Sequence, residues 1–278
     1  MLDLLGGIID GKDGRRFGRT TEFLEARRNL VRTEETNLGN LSAEANLAAG
    51  QAADPATSLS LKNGGGIRDA IGQVISSSGN EPPRLGPPAA NPRVGKLEGE
   101  VSQLDIENAL RFNNGLSLLT LTARQLRDTL EWSVAGTTPT STPGQFPQVA
   151  GLAFSFDIAR PAMTYTRDAN NVPTGINNPG QRLRSLVARR ADGTLDLVVE
   201  DGALVGDPDR TFRLVTLDFL ANGGDTYYPL TQGTGRLDLA PAAGRTFDTP
   251  GTEQRAFADY LAALGQYRSE ERRVGKER

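Results

Sequence analysis

Arg28 and Arg32 stand four residues apart. On a helix they share one face. Two guanidiniums brought to one spot form a bidentate site for phosphate oxygens, while on an open surface the same pair is only a solvated basic face. Farther along comes Asn63-Gly64-Gly65-Gly66-Ile67-Arg68. Three successive glycines strip every Cβ from a turn, so a ligand can approach the backbone at Gly65. Asn63 brings an amide suited to a base edge, and Arg68 a third guanidinium. The run lacks the Lys-Ser/Thr pair of a P-loop. Two more segments, Arg111-Phe112-Asn113-Asn114-Gly115 and Phe219-Leu220-Ala221-Asn222-Gly223-Gly224-Asp225, each set a phenylalanine beside a polar, glycine-containing turn. Two facing rings clamp a flat base by stacking, worth roughly 1–3 kcal/mol per base. The Asp225 carboxylate is suited to accept hydrogen bonds from both hydroxyls of a ribose. Each piece taken alone is also what a core or a plain turn uses. Two Asn-Gly-Gly turns, each leading to a charged residue (Arg68, Asp225), read as two walls of one cleft.

The missing residue types narrow the chemistry. The chain of 278 residues contains no cysteine and no histidine. There is thus no thiolate nucleophile or disulfide, no imidazole metal ligand, and none of the commonest general base. No catalytic residue and no metal site are assigned, and hydrolysis by this chain alone is not expected. The net charge of −3 gives no overall attraction to nucleic acid, which excludes it as an expected partner. No apolar run approaches the roughly 18 residues that span a membrane. The start, Met1 to Gly7, has neither a basic n-region nor a full apolar stretch, so it does not read as a signal peptide.

The elements that must carry these residues can be read from periodicity. Residues 1–27 form a lead-in segment rich in Gly and charge, with room for one strand. Leu38, Leu41, Ala45 and Ala48 predict a helix capped by Thr36 or Asn37 and ending near Gly50. Leu59 and Leu61 mark a strand that runs into the triple glycine. Five prolines place residues 79–96 in an extended loop. Leu104–Arg111 reads as helix and Leu116–Leu121 as a buried strand. Thr122 and Gln125 form a capping box for a helix that buries Leu126, Leu130 and Val134. A Thr/Pro loop fills 136–148, strands follow at 152–157, 183–189, 195–199 and 211–219, and Thr252 caps a last helix. Helices and strands alternate without a βαβ beat, so the fold class is α+β, a single domain with a mixed sheet over residues 28–267. Residues 268–278 are a charged tail. From Ser269 on it resembles translated adaptor sequence rather than native protein, with a genuine solvated tail as the alternative.

These segments together resemble a known family. Arg32 to Leu41, Asn63 to Arg68, Phe112-Asn113-Asn114, Gln148 to Gly151 and Phe219 to Asp225 are similar, in the same order, to the C-terminal domain of 5'-nucleotidases. The resemblance spans residues 25 to 267. It implies a nucleotide or nucleoside ligand, with Arg28, Arg32 and Arg68 holding the phosphate of a nucleotide. Phe112 and Phe219 would sandwich the base, Asn63 or Asn114 would bond its edge, and Asp225 would take the ribose hydroxyls. Arg27 competes with Arg28 for its role. The same resemblance implies an upstream metallophosphatase domain, absent from this chain, that carries two divalent metals. Domain rotation would bring the bound nucleotide to that centre, and the full-length protein would be periplasmic or extracellular. A stand-alone nucleotide-binding module, or the same fold acting on a UDP-sugar or cyclic nucleotide, stays open.

Overall fold

The computed structural model describes residues 2–76 and 82–268. In chain order the first half runs α1 (Leu2–Asp13), β1 (Arg16–Thr20), the one-turn α2 (Arg28–Val31), α3 (Asn37–Ala53), β2 (Thr57–Asn63), a 3-10 turn (Gly64–Gly66), β3 (Gln73–Ile75), β4 (Arg84–Gly86), β5 (Glu100–Ser102), α4 (Gln103–Ala109), β6 (Leu116–Thr122) and α5 (Ala123–Ala135). The second half runs β7 (Pro147–Ala150), β8 (Leu152–Phe156), β9 (Thr164–Arg167), β10 (Pro173–Asn178), β11 (Leu183–Arg189), β12 (Leu195–Glu200), β13 (Ala203–Leu204), β14 (Thr211–Leu217), α6 (Asp218–Ala221), α7 (Tyr228–Thr231), β15 (Thr234–Asp238), α8 (Glu253–Leu264) and β16 (Gln266–Tyr267).

A five-stranded mixed sheet in the order β15-β6-β14-β2-β7 is the frame of the molecule. β14 and β2 are parallel, and the other pairings are antiparallel. Because β14 and β2 run the same way, both end at one edge of the sheet. Antiparallel β6 begins there, with Leu116 opposite Leu217. A four-stranded antiparallel sheet, β13-β12-β11-β8, shares a core with the frame. That core joins Leu59 and Leu61 of β2, Leu118 of β6, Leu214 of β14, Leu186 of β11, and Leu126 and Leu130 of α5. The central strands β2, β6 and β14 read as nearly continuous apolar or small runs because both faces are covered.

A second core lies between α3, α4 and α8, around Leu38, Leu41, Ile106, Phe257 and Leu261. The caps that delimit these helices are the ones the sequence predicts. Thr36 accepts from the Gly39 N–H, Thr122 forms its capping box with Gln125, and Thr252 caps α8. Each such cap stabilises its helix by about 1 kcal/mol.

The lead-in segment is more ordered than its glycines suggest. Residues 2–13 are helical, and β1 lies between β5 and β16 in a three-stranded sheet. Side chains of α1 are tied down by Arg93 to Asp10 and by Lys96 to Asp13. The loop at 136–148 yields its last residues to β7, an edge strand whose proline stands first, where no ladder N–H is needed. Within 79–96, β4 and a 3-10 turn at Pro92–Val94 are ordered, while residues 79–81 lie outside the described residues. The tail from Ser269 also lies outside them.

Candidate functional site

Three of the segments singled out by sequence meet at one edge of the five-stranded sheet, those that follow β2, precede β6 and follow β14. β2 ends at Asn63, Asp218 follows the last residue of β14, and the Asp218 N–H donates to the Gly115 carbonyl at 2.8 Å. The turn after β2 is built by chain crossing. The Gly64 N–H donates to the Phe146 carbonyl and the Gly65 N–H to the Gly144 carbonyl, both at 2.7 Å. A Cβ on Gly64 would overlap the Val31 carbonyl oxygen, and one on Gly65 would lie 2.9 Å from the Gly144 Cα. The glycines are therefore required by protein backbone, and Gly65 is buried. The expected opening for a ligand at Gly65 is filled by the 144–146 segment.

The two glycine turns do meet. Asn63 Nδ2 donates to Asp225 Oδ2 at 2.5 Å, and the indole N–H of Trp132 on α5 donates to the Asp225 carbonyl at 2.9 Å. Asp225 and Thr226 both stand at positive φ, 49° and 63°. The Asn63 Oδ1 is buried without a partner.

Arg32 follows α2 as its C-cap and is only 8% exposed. Its Nη1 donates to the Thr142 carbonyl at 3.5 Å, and its Nε is buried with no partner. Burial first, and then the charges of Arg28 and Arg68, push its pKa below the usual arginine value, while Asp225 pulls it up. The charges of Arg28, Arg68 and Asp225 thus all act on Arg32. A Cβ on Gly144 would stand 3.5 Å from Asp225 Oδ2 and 3.9 Å from Arg32 Nη1, so these two charges flank one glycine. Arg27 is bound on both Nε and Nη2 by Glu25, which leaves Arg28 as the arginine that faces Arg32 electrostatically.

Phe112 is 61% exposed and Phe219 43%, unusual for rings of their size. The Arg68 guanidinium lies over the Phe112 ring, 5.5 Å from its centroid. Phe219 covers Gly224, where a Cβ would fall 2.5 Å from the ring. Asn114 sits between the exposed Phe112 and the buried Gly115. Its backbone N–H and its Nδ2 donate to Glu253 Oε1 at 3.0 and 2.7 Å.

A sequence model of the 5'-nucleotidase C-terminal domain matches residues 16–232. The chain belongs to this family. It is 26% identical over 238 residues to the trifunctional nucleotide phosphoesterase YfkN of Bacillus subtilis, a match covering 86% of this chain and 13% of that protein. It is 26% identical over 223 residues to UshA of Escherichia coli, covering 80% of this chain and 28% of UshA. Among solved structures it is similar to the 5'-nucleotidase precursor of Thermus thermophilus, with a TM-score of 0.67 and 25% identity over 96% of this chain and 40% of that one. The sulfate thiohydrolase SoxB of T. thermophilus shares the fold at a TM-score of 0.52 and 16% identity. Likeness at that level shows the fold alone, and a fold does not fix a ligand. The chain spans well under half the length of each of these relatives.

In this family member, sequence reasoning missed three supports of the site. Trp132, the chain's single tryptophan, steadies the Asp225 turn. Gln148 is buried; its amide nitrogen donates to the Val31 and Glu34 carbonyls and its oxygen accepts from the Thr36 N–H, so it fixes the segment that presents Arg32. The buried Lys62–Glu253 pair holds Asn114. Trp132 carried a signal in its rarity, and Gln148 lay inside a family segment. Lys62 and Glu253, 191 residues apart, carried none. No group of three or more Asp and Glu residues suited to a metal occurs among the described residues, and no helix among them is long and apolar enough to cross a membrane.

Proposed function

We propose that this chain is the nucleotide-recognition part of a longer phosphoric ester hydrolase. The observation that carries the reading is the gathering of the Arg28 and Arg68 guanidiniums near a nearly buried Arg32 whose Nε has no partner, opposite the Asp225 carboxylate. Burying a cation among like charges is costly, and an anion with several oxygens offsets that cost and satisfies the free donor. Arg28, Arg32 and Arg68 bind the phosphate. Asp225, oriented by Asn63, accepts from the ribose hydroxyls. Phe112 and Phe219 supply exposed aromatic faces for the base, and Arg68 moves from the Phe112 ring toward the phosphate when the ligand arrives.

The bond-breaking step belongs to residues outside this chain. The described residues offer no cluster to hold the family's two divalent metals, so those metals and the nucleophilic water reside in the metallophosphatase domain of the longer protein. We place that full protein in the periplasm or outside the cell. The test is calorimetric titration of the purified chain, without metal, against AMP and adenosine. We expect both to bind, AMP more tightly, with the difference shrinking as salt is added. Equal affinity for the two, insensitive to salt, overturns the phosphate assignment; failure of both to bind overturns the site.

A further inference from the structure

Beneath this edge of the sheet, Lys62 and Glu253 are fully buried and form an ion pair, Nζ to Oε2 at 2.9 Å. A charge in such a place must be paired and fully hydrogen-bonded to persist. Glu253 meets that demand through Asn114. Its other oxygen, Oε1, takes both the Asn114 backbone N–H and Asn114 Nδ2, and the Glu253 N–H donates back to the Asn114 carbonyl at 2.9 Å. The pair is the first residue of α8 on one side and the residue before Asn63 on the other, so the network binds together both segments that carry the site.

An ionised carboxylate only accepts hydrogen bonds, whereas an asparagine amide can offer either its oxygen or its nitrogen. Glu253 removes that choice. The Asn114 amide must turn its nitrogen to Glu253 and its oxygen away, and Oδ1 makes no hydrogen bond to any of the described residues. We infer that Glu253 is a positioning residue that sets base preference. By fixing Asn114 Oδ1 as an outward acceptor, it favours a base edge that carries an exocyclic amino group, a 6-aminopurine or 4-aminopyrimidine, over one that carries a carbonyl oxygen there. The inference rests on the nucleotide reading above. A 6-oxo base in the same pose would set its oxygen against Oδ1, and only by shifting along its edge could it offer the proton on N1 instead.

The test compares AMP with IMP, which share sugar and phosphate and differ at the 6-position and the adjoining ring nitrogen. In the whole 278-residue chain, AMP binds about tenfold more tightly. In Glu253→Gln the partner of Asn114 can donate or accept, the amide can turn over, and the ratio falls toward one. Because that variant leaves Lys62 without a counter-charge, Asn114→Ala serves as a second probe: it keeps the ion pair and levels the two nucleotides. A merely structural role would weaken both nucleotides alike and leave the ratio standing. Equal binding of AMP and IMP by the unaltered chain overturns this inference and leaves the nucleotide site intact. A ratio that survives in Asn114→Ala overturns the assignment of Asn114 and Glu253. No binding of either nucleotide overturns the reading on which the inference stands.

Discussion

Thr226 occupies the left-handed region at φ 63°, next to Asp225 at 49°. For a β-branched residue this backbone is costly, about 1–2 kcal/mol, and such strain collects where a turn must aim a functional group. Trp132 and Asn63 hold Asp225 in place from two sides, so the turn does not depend on Thr226 for its shape. Thr226→Gly should therefore raise stability by about 1 kcal/mol in urea unfolding, with adenosine affinity unchanged; a loss of affinity would mean that the strain itself presents Asp225. Arg32 behaves differently. Its guanidinium is the most enclosed of the three and has one donor left over. We expect Arg32→Ala to weaken AMP by roughly ten- to a hundredfold, the worth of one charge-assisted hydrogen-bonding group, while adenosine changes little. Equal losses for both ligands in calorimetry would show that Arg32 supports the fold and not the phosphate.

Among the elements, α1 depends most on its tethers. Asp13 at its end accepts from Lys96 Nζ and Ser102 Oγ, both at 2.7 Å, and Lys96 also donates to Asp105 at 2.7 Å. Burial works against the ionised Asp13, but its bonds from Lys96, Asn91 and Ser102 outweigh it and hold the pKa below the ordinary 3.8. Burial likewise works against charged Lys96, and the two carboxylates carry its pKa above 10.5. A depressed carboxylate stabilises fully above its unfolded pKa and loses that contribution as pH falls through the folded one; a raised ammonium stabilises below its unfolded pKa and loses it as pH rises through the folded one. The tether should thus hold between those limits and fail at either end. Asp13→Asn should flatten the acid limb of the urea midpoint against pH, and an unaltered slope would clear Asp13 of that role. Lys96→Met, which strands two carboxylates, should cost about 3 kcal/mol at neutral pH. None of this was legible in the sequence, where Gly6, Gly7 and Gly11 argue against a helix and the tethers come from residues about eighty positions away. α3, α5 and α8 were legible because a capping hydroxyl and an apolar stripe agree locally. β9 and β10 were missed because neither alternates strongly: of β9 only Tyr165 is buried, and β10 buries none of its residues fully. For the site, the residue types and their order could be read in advance. What could not was that the triple glycine accommodates Gly144 and Val31, since a chain crossing leaves no periodic trace.

At the scale of the molecule, recognition at the sheet edge and the breaking of a phosphate ester bond make different demands. Cleaving a phosphate ester in water requires a group that activates the nucleophile and something to neutralise charge on the transferred phosphoryl oxygens. The arginines proposed to hold the phosphate would meet the second need in part. For the first, the chain has no histidine and no cysteine, and the carboxylates at this edge are spent on pairing: Asp225 on Asn63, Glu253 on Lys62, Asp218 on Arg245. A group that already serves as hydrogen-bond acceptor in a fixed network is poorly placed to take a proton from water. The chain also covers 13% of YfkN, 28% of UshA and 40% of the Thermus 5'-nucleotidase, so most of each relative lies beyond the part described by this fold. We therefore expect the purified chain to bind AMP but to release no inorganic phosphate from it above the protein-free rate, with magnesium, manganese, zinc or calcium present. The decisive control is the Arg32→Ala variant in the same assay. Turnover that scales with protein concentration and falls with Arg32→Ala would place a working catalytic centre on this sheet edge and overturn the division between recognition and chemistry. Turnover indifferent to Arg32 would come from a contaminating phosphatase and leave that division standing.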